Sequence, residues 1–516
     1  MTVSQPPVVV VNGGPLVEWW TAPRPAAGRV AAAATIAGVV AGAAVPIDRP
    51  GAGWFAAALV SAVAVFLAGR VADPALGGLP VTRRGDVVWR WLFATAALLL
   101  VAVGVVRAAE WLFALCLLAA FGCGAVAAVG GRSVSGLVAS VGSVPLAALR
   151  GLPWYVRSMA ALSRDVSREP KQGSGRSLGR LLVSVLIGVV LVALFGALLS
   201  SADAAFARIV GGMLPSLDGE SVARFGALFV VGTLGTVGAC YLRMRPLAVG
   251  EGATASGRGR VRLVEWAVPV ALLDLLLASF VAVQFAVLFG GNEHVLRTEG
   301  LTYAQYARGG FWQLLAVTAL SLAVVAVVAR LAPRDTAPQR RWLRLLLGVL
   351  AALMLVVVAS ALTRMWVYEQ AYGYTRLRLV VSAVELLLGA VFVLVLAAGV
   401  RLRAAWMPRA VALAAAVTLL GLAALNPDGF IAERNIARWH AGHALDRDYL
   451  GGLSDDAVPA VATLPEPQRT CVLRSMRLLR LDREPDPWAG WNYGRATAAG
   501  TLATHPAAST PISCDP

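Results

Sequence analysis

The chain alternates long, unbroken apolar runs with short polar connections that carry most of its arginines. The stretch Val261–Arg330 shows the unit of the pattern. A basic cluster (Arg258, Arg260, Arg262) precedes an apolar segment interrupted by Asp274 and Gln284. A polar, aromatic loop follows, from Asn292-Glu293-His294 to Tyr303, Tyr306 and Arg308, and the chain turns apolar again over Phe311–Ala329 before stopping at Arg330. Two such runs, with basic ends on one side and a polar loop on the other, predict a membrane hairpin. The runs are continuous rather than alternating, and lipid offers the backbone no hydrogen bonds, so helices are predicted rather than barrel strands.

Similar runs occur at Val30–Ile47, Trp54–Ala68, Trp89–Val106, Trp111–Gly130, Leu181–Leu199, Phe225–Tyr241, Val264–Phe289, Phe311–Ala329, Leu345–Leu362, Leu379–Val400 and Val411–Leu425. That is about eleven spans, most near the ~20 residues that cross a ~30 Å hydrocarbon core. Val134–Leu149 is apolar but broken by Ser135, Ser140, Ser143 and Pro145, within the basic stretch Arg132–Arg180. It reads as an interfacial helix, with a re-entrant or spanning segment as the alternatives. The predicted fold is an all-α polytopic transmembrane bundle with a small helical extracytoplasmic tail. Residues 1–28 form a polar, proline-bearing cytoplasmic segment without the pattern of a signal peptide. Residues 29–425 form the transmembrane domain, including the basic loop 131–180, and residues 426–516 form the tail, with amphipathic pieces such as Val472–Leu481.

Composition agrees with a bilayer environment. Hydrophobic residues make up 58% and charged residues 14%, with a mean hydropathy of +0.72. A soluble domain carries roughly 45–50% apolar and about 25% charged residues. The net charge of +16 does not point to nucleic acid, because arginines flanking spans raise the charge without any such partner. With the N-terminus inside, the inside segments hold about three times as many basic residues as the short outside loops. This predicts a plasma-membrane protein with its N-terminus cytoplasmic and its tail extracytoplasmic. Cys116, Cys123 and Cys240 lie in apolar runs and read as small hydrophobes. Cys471 and Cys514 lie in the tail, where they can pair if it faces an oxidising compartment.

In this topology the polar residues gather on the outer face. They are Asp203, Glu293, Tyr303, Tyr306, Arg308, Arg364, Glu369, Tyr374, Arg376, Arg378, Asn426, Asp428 and Asn435. Aromatic belts and snorkelling arginines account for some of them. The run Arg364–Arg378 is different, since outside arginines oppose the orientation rule. They call for carboxylate partners among Glu369, Glu293 and Asp203, or for an anionic ligand. Inside the spans, Asp274 and Glu385 lie farthest from any loop. A carboxylate there costs on the order of 3 kcal/mol, so such residues face the bundle interior and mark either a relay or an interhelical bond. No nucleotide loop, nucleophile elbow, zinc signature or His/Cys metal spacing is present, so no metal or cofactor is predicted.

Four segments resemble a known family: Ser201-Ala202-Asp203-Ala204-Ala205-Phe206, Tyr303–Phe311, Tyr372-Gly373-Tyr374-Thr375-Arg376-Leu377-Arg378-Leu379, and Asn426–Asn435. Together they are similar to the bacterial membrane family of unknown function labelled DUF4153/DUF4173, over roughly Leu181 to Pro459. The resemblance implies a polytopic membrane protein and no particular activity. The Ala- and Arg-rich spans are similar to those of actinobacteria.

Three functions fit these observations. The first is a permease-like transporter with an outward-facing polar site and Asp274 and Glu385 as relays. The second is a non-catalytic envelope sensor or scaffold whose tail binds an extracytoplasmic ligand or protein. The third is a membrane enzyme acting on an anionic lipid-linked substrate through Glu369 or Asp203 with Arg376 and Arg378. The absence of a catalytic motif ranks the enzyme last.

Overall fold

A computed structural model describes residues 28–71, 84–168, 188, 219–244, 262–289, 303–402, 404–476, 486–505 and 514. Among them every regular element is helical: α1 (Gly28–Ala44), α2 (Ala52–Val71), α3 (Arg84–Val106), α4 (Glu110–Val129), α5 (Val134–Arg168), α6 (Gly219–Met244), α7 (Leu263–Phe289), α8 (Tyr303–Leu331), α9 (Ala337–Tyr372), α10 (Arg376–Arg401) and α11 (Met407–Leu425). The tail adds α12 (Pro427–His440), α13 (Arg447–Gly451), a 3-10 turn at Asp455–Ala457, α14 (Val458–Val461), α15 (Gln468–Ser475) and α16 (Tyr493–Thr504). Ten of these helices, α2 to α11, are long and apolar enough to cross a membrane, and α1 is a shorter apolar helix of 17 residues. The chain is a multi-pass, all-α membrane protein. The predicted span Leu181–Leu199 lies outside the described residues, apart from Gly188.

Helix ends follow local chemistry. Thr336 caps α9 in a capping box with Gln339, accepting from the Gln339 N–H while the Gln339 side chain accepts from the Thr336 N–H. Gly130 at φ 86° closes α4, and Asn426 at φ 57° closes α11 before Pro427 opens α12. Two boundaries differ from the hydropathy reading. α8 begins at Tyr303, so Tyr303, Tyr306 and Arg308 are helical rather than loop residues. α9 runs 36 residues, about 54 Å at helical rise, and carries Arg364 and Glu369 on a helical extension instead of a loop. A helix that outruns the apolar layer reads as loop by hydropathy because its projecting turns are polar.

The chain divides into two compact units. The first draws on Met1–Ala43, Val60–Val81 and Ser143–Leu247. In it α1 and α6 pack antiparallel through small residues. A Cβ on Gly38 would stand 1.9 Å from Thr233 Oγ1, and one on Gly42 would stand 2.8 Å from the Phe225 ring. Close backbone approach of this kind suits helices that gain nothing from hydrophobic contact in lipid. The α5 residues of this unit meet α6 at Gly151 and Gly238, and Tyr155 OH lies 2.6 Å from Thr35 Oγ1 on α1. α5 is one continuous helix with Pro145 and Pro153 inside it. It is therefore much longer than the predicted interfacial segment, and it is the least apolar of the ten candidate spans.

The second unit draws on Ala44–Leu59, Thr82–Gly142 and Ala248–Pro516. Its α3–α4 hairpin packs with α11 around Phe93, Leu100, Leu112, Cys116 and Leu422. Helices α7 to α10 form a second group around Leu314, Met354, Val357 and Phe392. The tail has its own core of Ile431, Ile436, Leu450, Val458, Val461, Leu464 and Val472. At one end of this unit, Arg409 at the start of α11 binds Asp86 of α3 at 2.9 Å and donates to the Gly131 carbonyl beyond α4 at 2.7 Å. The starts of α7 and α9 and the end of α10 meet at that same end through Trp266, Leu343 and Leu402.

Candidate functional site

Among the described residues, those named from sequence fall into a clasp at the tail and the buried carboxylates Asp274, Glu385 and Glu369. The clasp joins the α9–α10 turn to the tail. Gly373 ends α9 with φ 86°, and a Cβ there would lie 2.9 Å from both Asn435 Oδ1 and Arg438 Nη1. Glycine is therefore required on two counts, backbone conformation and space. Asn435 then pairs with the Tyr374 backbone in both directions, accepting from its N–H at 2.8 Å and donating to its carbonyl at 2.9 Å. Arg438 donates to the carbonyls of Gln370 and Ala371, both at 2.8 Å, and so satisfies the exposed end of α9.

Thr375 caps α10 by accepting from the Arg378 N–H, which sets Arg376 and Arg378 in its first turn. Arg376 grips Asp428 with two parallel bonds, Nε to Oδ1 at 2.8 Å and Nη2 to Oδ2 at 2.6 Å. Asp428 is fully buried and also accepts from the Ser454 N–H at 2.8 Å and from Trp111 Nε1 at 3.3 Å. Burial pushes its carboxyl up, but the Arg376 bond and charge, together with Ser454, outweigh burial and hold it below the ordinary carboxylate range. Arg378 lies over the Tyr368 ring at 4.3 Å and donates to the Gly373 carbonyl. Arg364 donates to Gln284 Oε1 at 2.9 Å. Arg376 and Arg378 are thus engaged in the fold, and Arg376 finds its carboxylate in the tail rather than in the loops.

A second clasp joins the tail to the connection between α3 and α4. Asp456 accepts from the N–H groups of Ala108 and Ala109 at 2.7 and 3.1 Å, at the N-terminus of α4. Burial nevertheless raises its carboxyl above the ordinary range. Asn492 donates to the carbonyls of Gly104 and Arg107 at 2.8 and 2.9 Å. Nothing in the local sequence flags either residue, because the partners are backbone groups hundreds of positions away. Asn426 lies beside the first clasp, and its Oδ1 is buried without a hydrogen-bond partner. Cys471 and Cys514 are joined in a disulfide with Cα atoms 5.5 Å apart.

The interior carboxylates differ in kind. Asp274 is buried in mid-α7, on the helical stripe of Trp266, Val270, Leu277 and Val281, and neither carboxyl oxygen has a hydrogen-bond partner. Glu385 on α10 is fully buried. Its Oε1 lies 3.2 Å from Thr318 Oγ1 on α8, while Oε2 has no partner. Thr318 also lies 2.8 Å from the Leu314 carbonyl, so one hydroxyl proton faces two acceptors. Glu369 on α9 is buried with Oε1 unpartnered. Thr318 and Ser321 are buried polar positions within an apolar run, but as neutral hydroxyls they carry no charge cost that would mark them in the sequence. Asp203 and Glu293 lie outside the described residues, as do the side chains of Tyr303, Tyr306 and Arg308. Among the described residues no group of three His, Cys, Asp or Glu could hold a metal ion.

A family model described as "Domain of unknown function (DUF4153)" matches residues 94–464. The match starts well before the first motif of the resemblance and takes in α4 and α5 entire and most of α3. No curated protein and no solved structure matches the chain.

Proposed function

Because the chain belongs to the DUF4153 family, a domain without assigned activity, we propose a role from its own geometry: a permease-like protein that moves a proton or small cation past Asp274 and Glu385, between helices α7 to α10. One observation carries this reading, a pair of buried mid-span carboxylates of which both Asp274 oxygens and Glu385 Oε2 lack a hydrogen-bond partner. An ionised carboxylate there is costly and uncompensated. A carboxyl that takes up and gives back a proton or cation removes that cost. The Thr318 hydroxyl supports the idea, since both of its contacts are satisfied when Glu385 carries a proton. We place the N-terminus in the cytoplasm and the tail outside the plasma membrane, following the arginine distribution and the Cys471–Cys514 pairing.

The test is flux across reconstituted vesicles under imposed proton, sodium and potassium gradients. Wild type should carry a gradient-driven flux that Asp274→Asn and Glu385→Gln each remove. A wild type no leakier than empty vesicles, with all three proteins folded, would overturn the proposal. The independently cored tail favours a second reading, an envelope scaffold or sensor. That reading expects both substitutions to leave the protein's cellular function intact.

A further inference from the structure

Residues 486–493, Asp-Pro-Trp-Ala-Gly-Trp-Asn-Tyr, form a turn whose residues other than Asn492 lie outside the clasps above. It is fastened to the start of α2. The Ala52 N–H donates to the Trp491 carbonyl at 3.0 Å, and the Gly53 N–H donates to the Ala489 carbonyl at 2.8 Å. The fit leaves no room for a side chain: a Cβ on Gly51 would stand 2.6 Å from the Ala489 carbonyl oxygen. Charged groups hold the turn from behind. Asp486 binds Arg49 and Arg495, each at 2.7 Å, and Arg495 also donates to the Pro50 carbonyl at 2.8 Å.

Ala52 is also where the candidate span Ala52–Arg70 begins. The turn is therefore fastened level with the first residues of that apolar helix. There it presents Trp488, Trp491 and Tyr493 at 66%, 43% and 55% exposure, beside Ile47 of the α1–α2 connection at 60%. The turn's acidic side chain is spent on two arginines, so the surface the turn itself presents is aromatic, while exposed Asp48 beside Ile47 is paired with Arg49. Indole and phenol rings, apolar in body and polar at one edge, favour the boundary between headgroups and acyl chains. We propose that this turn is a lipid-interface anchor, with Trp488, Trp491 and Tyr493 seated in the headgroup layer. It would dock the tail on the membrane surface independently of any transport activity.

The experiment uses the full chain in lipid nanodiscs. Trp488→Phe/Trp491→Phe keeps aromatic bulk, and the emission lost relative to wild type isolates two indoles from the chain's 15 tryptophans. That difference emission should be blue-shifted and should lose most of its intensity in lipids brominated near the headgroup, while aqueous acrylamide quenches it weakly. Full acrylamide quenching without bromolipid quenching would overturn the proposal. So would a difference emission that changes with protein concentration, which would assign the surface to a second copy of the chain. If the double variant fails to fold, Trp488→Phe alone gives the same readout.

Discussion

Replacing Asp428 by Asn removes one charge from a pair whose other half, Arg376, is 34% exposed. Losing one member of a buried ion pair costs ~3–5 kcal/mol, and partial exposure of the survivor sets the lower end, about 3 kcal/mol. The Ser454 amide, which donates to Asp428, should lose hydrogen-exchange protection accordingly. The folded Asp428 carboxyl lies below its ordinary value, so its stabilisation is complete above the unfolded value of about 3.9 and fades as pH falls through the lower folded one. Wild-type protection at Ser454 should therefore drop in acid, and in Asp428→Asn that drop should be missing. Asp428, Asn435, Tyr374 and Arg376 all stood out in the sequence as a polar cluster. Their partnership did not, because the pairs bridge 52 and 61 residues and no local pattern encodes such a distance. Of the two partners the Arg364–Arg378 arginines call for, a carboxylate or an anionic ligand, Arg376 meets a carboxylate, Asp428 of the tail.

At the level of elements, hydropathy located most spans because burial in lipid demands long apolar runs whatever the tertiary packing. It could not give their ends, as α8 and α9 show, nor what α5 becomes once its prolines are accommodated. Packing partners were equally hidden. Gly38 and Gly42 matter only because α6 brings Thr233 and Phe225 against them. Gly38→Leu should force α1 from α6 and lower the apparent Tm in detergent by an overpacking cost of about 1–3 kcal/mol. Gly348→Ala, in open space on α9, should leave the Tm unchanged or raise it slightly, as helix propensity dictates. Equal effects of the two substitutions would remove the close-packing account.

Across the whole molecule, the tail is the part that composition described least well. Its polarity announced an appendage, yet its core of Ile431, Leu450, Val461 and Val472 is built like that of a small soluble domain. The disulfide closes a separation of 43 residues within it, and removing such a bond typically costs ~2–5 kcal/mol. Cys471→Ser, or reduction of the wild type, should lower the tail's unfolding temperature while leaving the spans' helical signal unchanged. Simultaneous loss of both signals would mean that tail and spans unfold as one.

The Arg49–Asp486 bond has a consequence for biogenesis. Its two ends are 437 residues apart, and the turn at residues 486–493 fastens a hairpin whose helices reach the membrane long before that turn is made. During synthesis the α1–α2 connection must wait open while the intervening helices insert.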